Sequence, residues 1–187
     1  MRDQKPNFRK IRTYLFLISL FFLLSACADD PKPEWKYGED AITIVYRAAL
    51  NLNAVRDRPH SLMLVIYQLK DINEFNRLAG YKEGLKKLLE AKVFDDSVMA
   101  MKKIYVEPGG ARNITLNRAE NTRFVGIVAG YYNLIPSRCS MLLDIEFETE
   151  RHGLFKIWKN TKINLLGIGL VLGRDGLRVL KEASDES

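Results

Sequence analysis

The sequence predicts a mainly β chain, a two-sheet β-sandwich carrying a short helical insert. Three observations carry that expectation. Apolar residues recur with period 2 in several short segments, the signature of half-buried strands. Turn formers separate these segments at regular intervals, as in sandwiches. One internal stretch alone shows helical spacing.

The first 26 residues stand outside the fold. Arg2, Lys5, Arg9, Lys10 and Arg12 form a basic region, and Tyr14 to Ala26 follow as an uncharged run rich in Leu and Phe. That run of 13 residues is shorter than the roughly 20 needed to cross a bilayer. It reads as a cleaved export signal. Leu24-Ser25-Ala26-Cys27 closes it, an aliphatic residue and two small ones before a cysteine, the lipobox of bacterial lipoproteins. The Cys27 thiol accepts a diacylglycerol, and cleavage makes it the first mature residue. Residues 27–38 then form a lipidated tether with Pro31 and Pro33. Residues 39–180 form one domain and 181–187 a frayed tail.

Removing the leader leaves 161 residues, with 24 basic against 22 acidic, so the +6 of the whole chain falls to +2. A nucleic-acid partner loses its electrostatic support. Once Cys27 is modified, Cys139 is the remaining thiol, so no intrachain disulfide forms. The fold must stand on its core, and 47% of residues are hydrophobic.

Within the domain, Ile42, Ile44 and Tyr46 alternate with Thr43, Val45 and Arg47, a half-buried strand. Ser61 to Leu69 is apolar on both faces and reads as a central strand. Leu50 to His60 between them is longer than a tight hairpin requires. Asp71 with Glu74 resembles a capping box. Phe75, Leu78 and Ala79, then Leu85, Leu88 and Leu89 beyond Gly80, give two short apolar helix faces, with Lys82, Lys86 and Lys87 turned to solvent. Val98 to Val106 is a strand, and Glu107-Pro108-Gly109-Gly110 suits a type II turn returning Arg112 to Leu116 as a hairpin. Phe124 to Tyr132 is buried strand. Leu143, Ile145 and Phe147 alternate with Asp144, Glu146 and Glu148. Phe155 and Ile157 lead a strand bearing Lys156 and Lys159, set to face those acids. Ile163 to Leu172 is a last apolar stretch ending in Gly-rich turns.

Catalytic and metal patterns are absent. His60 and His152 read as surface loop residues, and no HExxH, GxSxG, CxxC or P-loop occurs. Gly167, Gly169 and Gly173 miss the dinucleotide spacing and no helix follows them. Cys139 beside Arg138 reads as an inert buried thiol rather than an activated one. Asn113-Ile114-Thr115 reads as strand, not as a glycosylation site. The expectation is therefore a non-enzymatic protein without metal or cofactor, other than lipid on Cys27. Its function would lie on a loop surface.

Several segments in order resemble one family. They are Val65-Ile66-Tyr67-Gln68-Leu69-Lys70-Asp71, then Phe75, then Tyr105-Val106-Glu107-Pro108-Gly109-Gly110, then Arg123-Phe124-Val125-Gly126-Ile127-Val128-Ala129-Gly130-Tyr131-Tyr132. Behind a lipobox, this succession resembles the outer-membrane lipoproteins of type VI secretion, the TssJ (VasD or SciN-like) family. The family commonly has a Trp shortly after the last segment, where this chain has Ser137-Arg138-Cys139-Ser140.

The resemblance implies a transthyretin-like sandwich on the periplasmic face of the outer membrane. It also implies a partner, the periplasmic C-terminal region of the inner-membrane protein TssM, bound through the loop between the first two strands. Here that loop is Asn51, Leu52, Asn53, Ala54, Val55, Arg56, Asp57, Arg58 and Pro59. Leu52 and Val55 are expected as apolar anchors, Arg56 and Arg58 as partners for carboxylates. Exchange of Asn51–Pro59 for a Gly-Ser turn is expected to spare the fold and abolish binding. Ala28, directly after Cys27, favours outer-membrane sorting, with Asp29 and Asp30 next. The rivals are a lipid-anchored enzyme using Cys139 or His152, and a periplasmic ligand-binding sandwich.

Overall fold

The computed structural model describes residues 32–152 and 158–180. The export signal, Cys27, Ala28, the Phe155–Ile157 segment and the expected tail lie outside the described residues.

The first sheet has the order β10-β9-β1-β4, from β1 (Gly38–Ala48), β4 (Ala111–Arg118), β9 (Leu166–Leu172) and β10 (Leu177–Leu180). The second has the order β3-β2-β5-β6, from β2 (Leu62–Leu69), β3 (Val98–Val106), β5 (Phe124–Ala129) and β6 (Ser140–Asp144). β7 (Phe147–His152) and β8 (Trp158–Ile163) form a separate hairpin. The sheets make a β-sandwich. Ile42, Ile44 and Tyr46 of β1 are buried in its core while Val45 and Arg47 face out, as the alternation predicts.

A third layer explains why β2 is apolar on both faces. The helices α1 (Asn73–Ala79) and α2 (Lys82–Leu89) pack across the second sheet. The Tyr67 hydroxyl donates to the Leu88 carbonyl at 2.6 Å, and the Tyr67 and Phe75 rings meet edge-on at 6.2 Å. Gly126 lies opposite Tyr67 in the ladder. A Cβ on Gly126 would come within 2.5 Å of the Phe75 ring, so the helix seat requires a glycine there. On the other side of β2, Gln68 is buried. Its Nε2 donates to the Asn117 carbonyl at 2.8 Å, and its Oε1 accepts from the Ala119 amide at 2.7 Å. This amide ties β2 to the β4–β5 connection, so its polarity is satisfied rather than costly.

Four expectations need correction. The Pro108-Gly109 turn forms, with Gly109 at φ +73° and the Gly110 amide bonded to the Glu107 carbonyl at 2.9 Å. Yet β3 and β4 do not pair as a hairpin. The end of β1 captures the turn, through Ala48 N to Gly110 O at 2.8 Å and Gly109 N to Ala49 O at 3.1 Å. This draws β4 into the other sheet, beside β1. The capping box is also absent. Asp71 accepts from the Asn73 amide at 2.8 Å, but Glu74 binds the Arg77 guanidinium at 2.7 Å instead of reaching back.

The alternation from Leu143 to Phe147 is not one strand. Ile145 is buried and donates its amide to Arg123, after which the chain leaves the sandwich as β7. In the β7–β8 ladder Glu148 lies opposite Lys162, an acid across from a lysine as expected. The last apolar stretch breaks at Asn164-Leu165 into β8 and β9. β9 then runs parallel to β1, and a turn closed by Gly173 N to Gly176 O at 2.9 Å adds β10.

Candidate functional site

The loop from Ala49 to Ser61 has a buried base and an exposed tip. Leu52 has 0% exposure and belongs to the core, which corrects its reading as an anchor for a partner. Asn53 is buried too. Its Oδ1 accepts from the Tyr132 amide at 2.7 Å and its Nδ2 donates to the Ser61 carbonyl at 3.3 Å. The base therefore holds the loop to the sandwich. Replacing all of Asn51–Pro59 would remove Leu52 and Asn53 from the buried base, so that exchange is expected to lower stability as well as change the tip.

The tip is a miniature hairpin. Val55 and Arg58 exchange both backbone hydrogen bonds, at 2.9 and 3.0 Å. Between them Arg56 and Asp57 have φ of +49° and +58°, the pattern of a type I′ turn. That turn ordinarily takes Asn-Gly, because side chains other than Gly strain there. Arg56, Asp57, Arg58 and Pro59 are exposed, and Val55 and Ala54 are half-buried. Arg174 of the β9–β10 turn donates to Asp57 at 3.0 Å, bracing the tip against the first sheet.

Beside the tip lies a cleft of about 250 Å³ lined by Val55, Arg56, Tyr131, Asn133, Arg174 and Asp175, with Tyr132 at its edge. Tyr131 is buried, which pushes its hydroxyl well above the ordinary tyrosine range. Tyr132 is 76% exposed. His60 is exposed on the same face, its Nδ1 3.0 Å from the Arg58 carbonyl. The loop surface thus also takes in Asn133 and Arg174, together with Tyr132, which lies beyond the end of β5 at Ala129 and not in the buried strand expected over Phe124 to Tyr132. Their signal was Gly130 ending the strand before two tyrosines, and an Arg-Asp pair between Gly173 and Gly176.

The other candidate groups fall apart in space. Cys139 closes α3 (Pro136–Cys139) and is buried, and burial pushes its thiol up rather than down. Gly167 and Gly169 sit in β9, whose end leads into a turn and not a helix. Asn113, Ile114 and Thr115 lie in β4. His152 ends β7. Among the described residues, no cluster of three His, Cys, Asp or Glu side chains is arranged to hold a metal.

The opposite end of the sandwich receives the tether. The Trp35 carbonyl accepts from the Asn121 amide at 2.7 Å, and the Lys36 carbonyl accepts from the Arg118 guanidinium at 3.2 Å. Trp35 packs against the core and meets Phe147 edge-on at 6.2 Å. The expected tether to residue 38 is therefore already docked from Trp35 onward. β1 carries the chain from this end to the loop end, about 33 Å for its 11 residues.

Residues 40–164 match the family of type VI secretion lipoproteins that includes VasD, EvfM and TssJ. This chain belongs to that family. Solved structures with the same fold agree in architecture. The Serratia marcescens protein Lip, described as a membrane-bound component of the type VI secretion system, is 22% identical with a TM-score of 0.58, and the match covers 81% of this chain and 100% of Lip. The Pseudomonas aeruginosa lipoprotein TssJ1 is 20% identical with a TM-score of 0.56, covering 81% and 99% of the two chains. A structure described as the TssM C-terminal domain (869–1107) from EAEC is matched at 18% identity and a TM-score of 0.53, covering 74% of this chain and 96% of that one. Among proteins of curated function, none matches the sequence. The family is one of secretion-system lipoproteins, so the chain is a type VI secretion lipoprotein.

Proposed function

We propose that the chain ties the secretion machine to the outer membrane. Cys27, acylated and followed by Ala28, holds it on the periplasmic face. The tip of the first loop binds the periplasmic C-terminal region of a TssM-type inner-membrane protein. The observation that carries this reading is the two-ended layout. The tether enters one end of a rigid sandwich, and a braced hairpin bearing Arg56, Asp57 and Arg58 projects from the other, facing away from the anchor.

Each end has a physical task. An acyl chain contributes about 0.8 kcal/mol per buried CH₂, and a single chain holds only marginally, so several chains on Cys27 are needed for a lasting anchor. At the tip, Val55 and Tyr132 offer apolar contact beside two guanidiniums, the composition of a small interface with Arg and Tyr hot spots. The turn that presents them is fixed before binding by paired backbone hydrogen bonds and by Arg174, so little entropy is lost on docking.

A calorimetric titration of the partner's periplasmic region tests the reading. The Arg56→Glu, Arg58→Glu double variant should bind at least about 30-fold more weakly than the parent, about 2 kcal/mol, if these charges pair with carboxylates at the interface. Equal affinity in parent and variant would overturn the assignment of the tip.

A further inference from the structure

The end of the sandwich that receives the tether carries an amphipathic surface that the partner loop does not use. A shallow apolar cleft of about 360 Å³ opens there, lined by Lys32, Pro33, Trp35, Arg123, Phe124, Asp144, Ile145 and Phe147. Phe147 is 47% exposed despite its ring contact with Trp35. Leu165, in the β8–β9 connection at the same end, is 77% exposed, and Tyr37 is exposed beside the start of β1. Lys32 and Arg123 are exposed cations at the cleft, and Asp144 is a carboxylate on its wall. Exposed large apolar groups gathered at one end of a sandwich mark a contact surface.

We propose that this end is a membrane seat, pressed into the headgroup region of the leaflet that holds Cys27. The proposal rests on the acylation of Cys27 proposed above. Lys32 lies five positions after Cys27, and an extended chain spans at most about 3.6 Å per residue. The mouth of the cleft therefore stays within about 18 Å of the acylated residue. A bilayer surface is thus the one large partner always within reach of this end.

Its chemistry also fits. Trp and Tyr favour the boundary between headgroups and acyl chains, where one part of the ring is apolar and another is wet. Lys and Arg beside them pair with lipid phosphates while their stems lie on apolar surface. Docking of Trp35 and Lys36 to Asn121 and Arg118 makes the link between tether and domain stiff. A seated end would therefore hold the long axis of the sandwich upright, with the loop tip directed into the periplasm.

The test uses the full-length lipidated chain in vesicles of phosphatidylethanolamine and phosphatidylglycerol. The chain has two Trp residues, so Trp158→Phe leaves Trp35 as the single indole. Phosphatidylcholine brominated near the headgroup should cut Trp35 emission at least about twofold, since interfacial indoles sit at that depth. Lys32→Glu with Arg123→Glu should restore most of the emission while the chain still floats with the vesicles. Leu165→Cys bearing an environment-sensitive dye gives a second reporter in a chain that keeps both Trp residues. Its emission should rise about twofold on vesicle binding, as expected for transfer to the interface. Flotation with unquenched Trp35 and an unchanged dye would overturn the seat and leave the lipid anchor standing. A chain that fails to float would overturn both.

Discussion

The first loop should separate, by mutation, into a part that holds the fold and a part that holds a partner. Leu52 is fully buried and sits in the core with residues of both sheets. Truncating a buried leucine costs about 2–5 kcal/mol, according to how far the site collapses. Losing the Asn53 side chain frees the Tyr132 amide and the Ser61 carbonyl, roughly 1 kcal/mol more. Against a typical domain stability of about 5–15 kcal/mol, Leu52→Ala alone removes a large share.

The tip should respond in the opposite direction. Arg56 and Asp57 both occupy left-handed backbone, which costs about 1–2 kcal/mol per non-glycine residue and less for Asp. Replacing them with Asn-Gly relieves that strain and removes the exposed Asp57–Arg174 pair, worth at most about 1 kcal/mol. The net expectation is a gain near 1 kcal/mol. Urea denaturation read by linear extrapolation measures both variants, 1 kcal/mol being about 0.3–1 M in midpoint. An unmoved midpoint for Leu52→Ala, or an Asn-Gly tip that lowers it as much as Leu52→Ala does, would refute this division of the loop.

Three further outcomes follow from other parts of the structure. Gly126→Ala drives a Cβ into the Phe75 ring and should cost about 1–3 kcal/mol by overpacking, read as a lower urea midpoint. Tyr67 is held by burial at a pKa of about 12, against 10.0 for a free phenol. The folded state thus binds this proton more tightly than the unfolded chain. Its contribution is complete below pH 10 and is lost as pH rises through 12, so thermal stability should fall over that interval more steeply in the parent than in Tyr67→Phe. Cys139 should stay unlabelled by a thiol reagent in the native protein and react fully in denaturant, because its thiol is buried and its pKa raised.

Local patterns carried much of the fold. The alternation of Ile42, Ile44 and Tyr46 named the inward face of β1, and the two-faced apolarity of β2 reflected a core on one side and helices on the other. Sheet membership was not written in those patterns. The Pro-Gly turn after β3 has the chemistry of a hairpin, yet the strand it leads into is decided by bonds from Ala48 and Ala49, which lie some 60 residues earlier. The parallel β1–β9 pair is hidden for the same reason, since a crossover has no local signature. At the loop, length marked Leu50 to His60 as more than a turn and the family resemblance pointed to Asn51–Pro59, but burial divides it. Leu52 looked like an interface anchor because composition cannot tell an apolar residue that faces a partner from one that faces the core. Tyr132 and Arg174 joined the surface only when three connections met at one end of the sandwich.

Site-specific photo-crosslinking in intact cells tests the two-ended account most directly. A photoreactive residue would replace Arg58 at the loop tip or, separately, Leu165 at the tether end. A covalent adduct with the TssM-type inner-membrane protein is expected from position 58 and none from position 165. An adduct from position 165 with none from position 58 would contradict it.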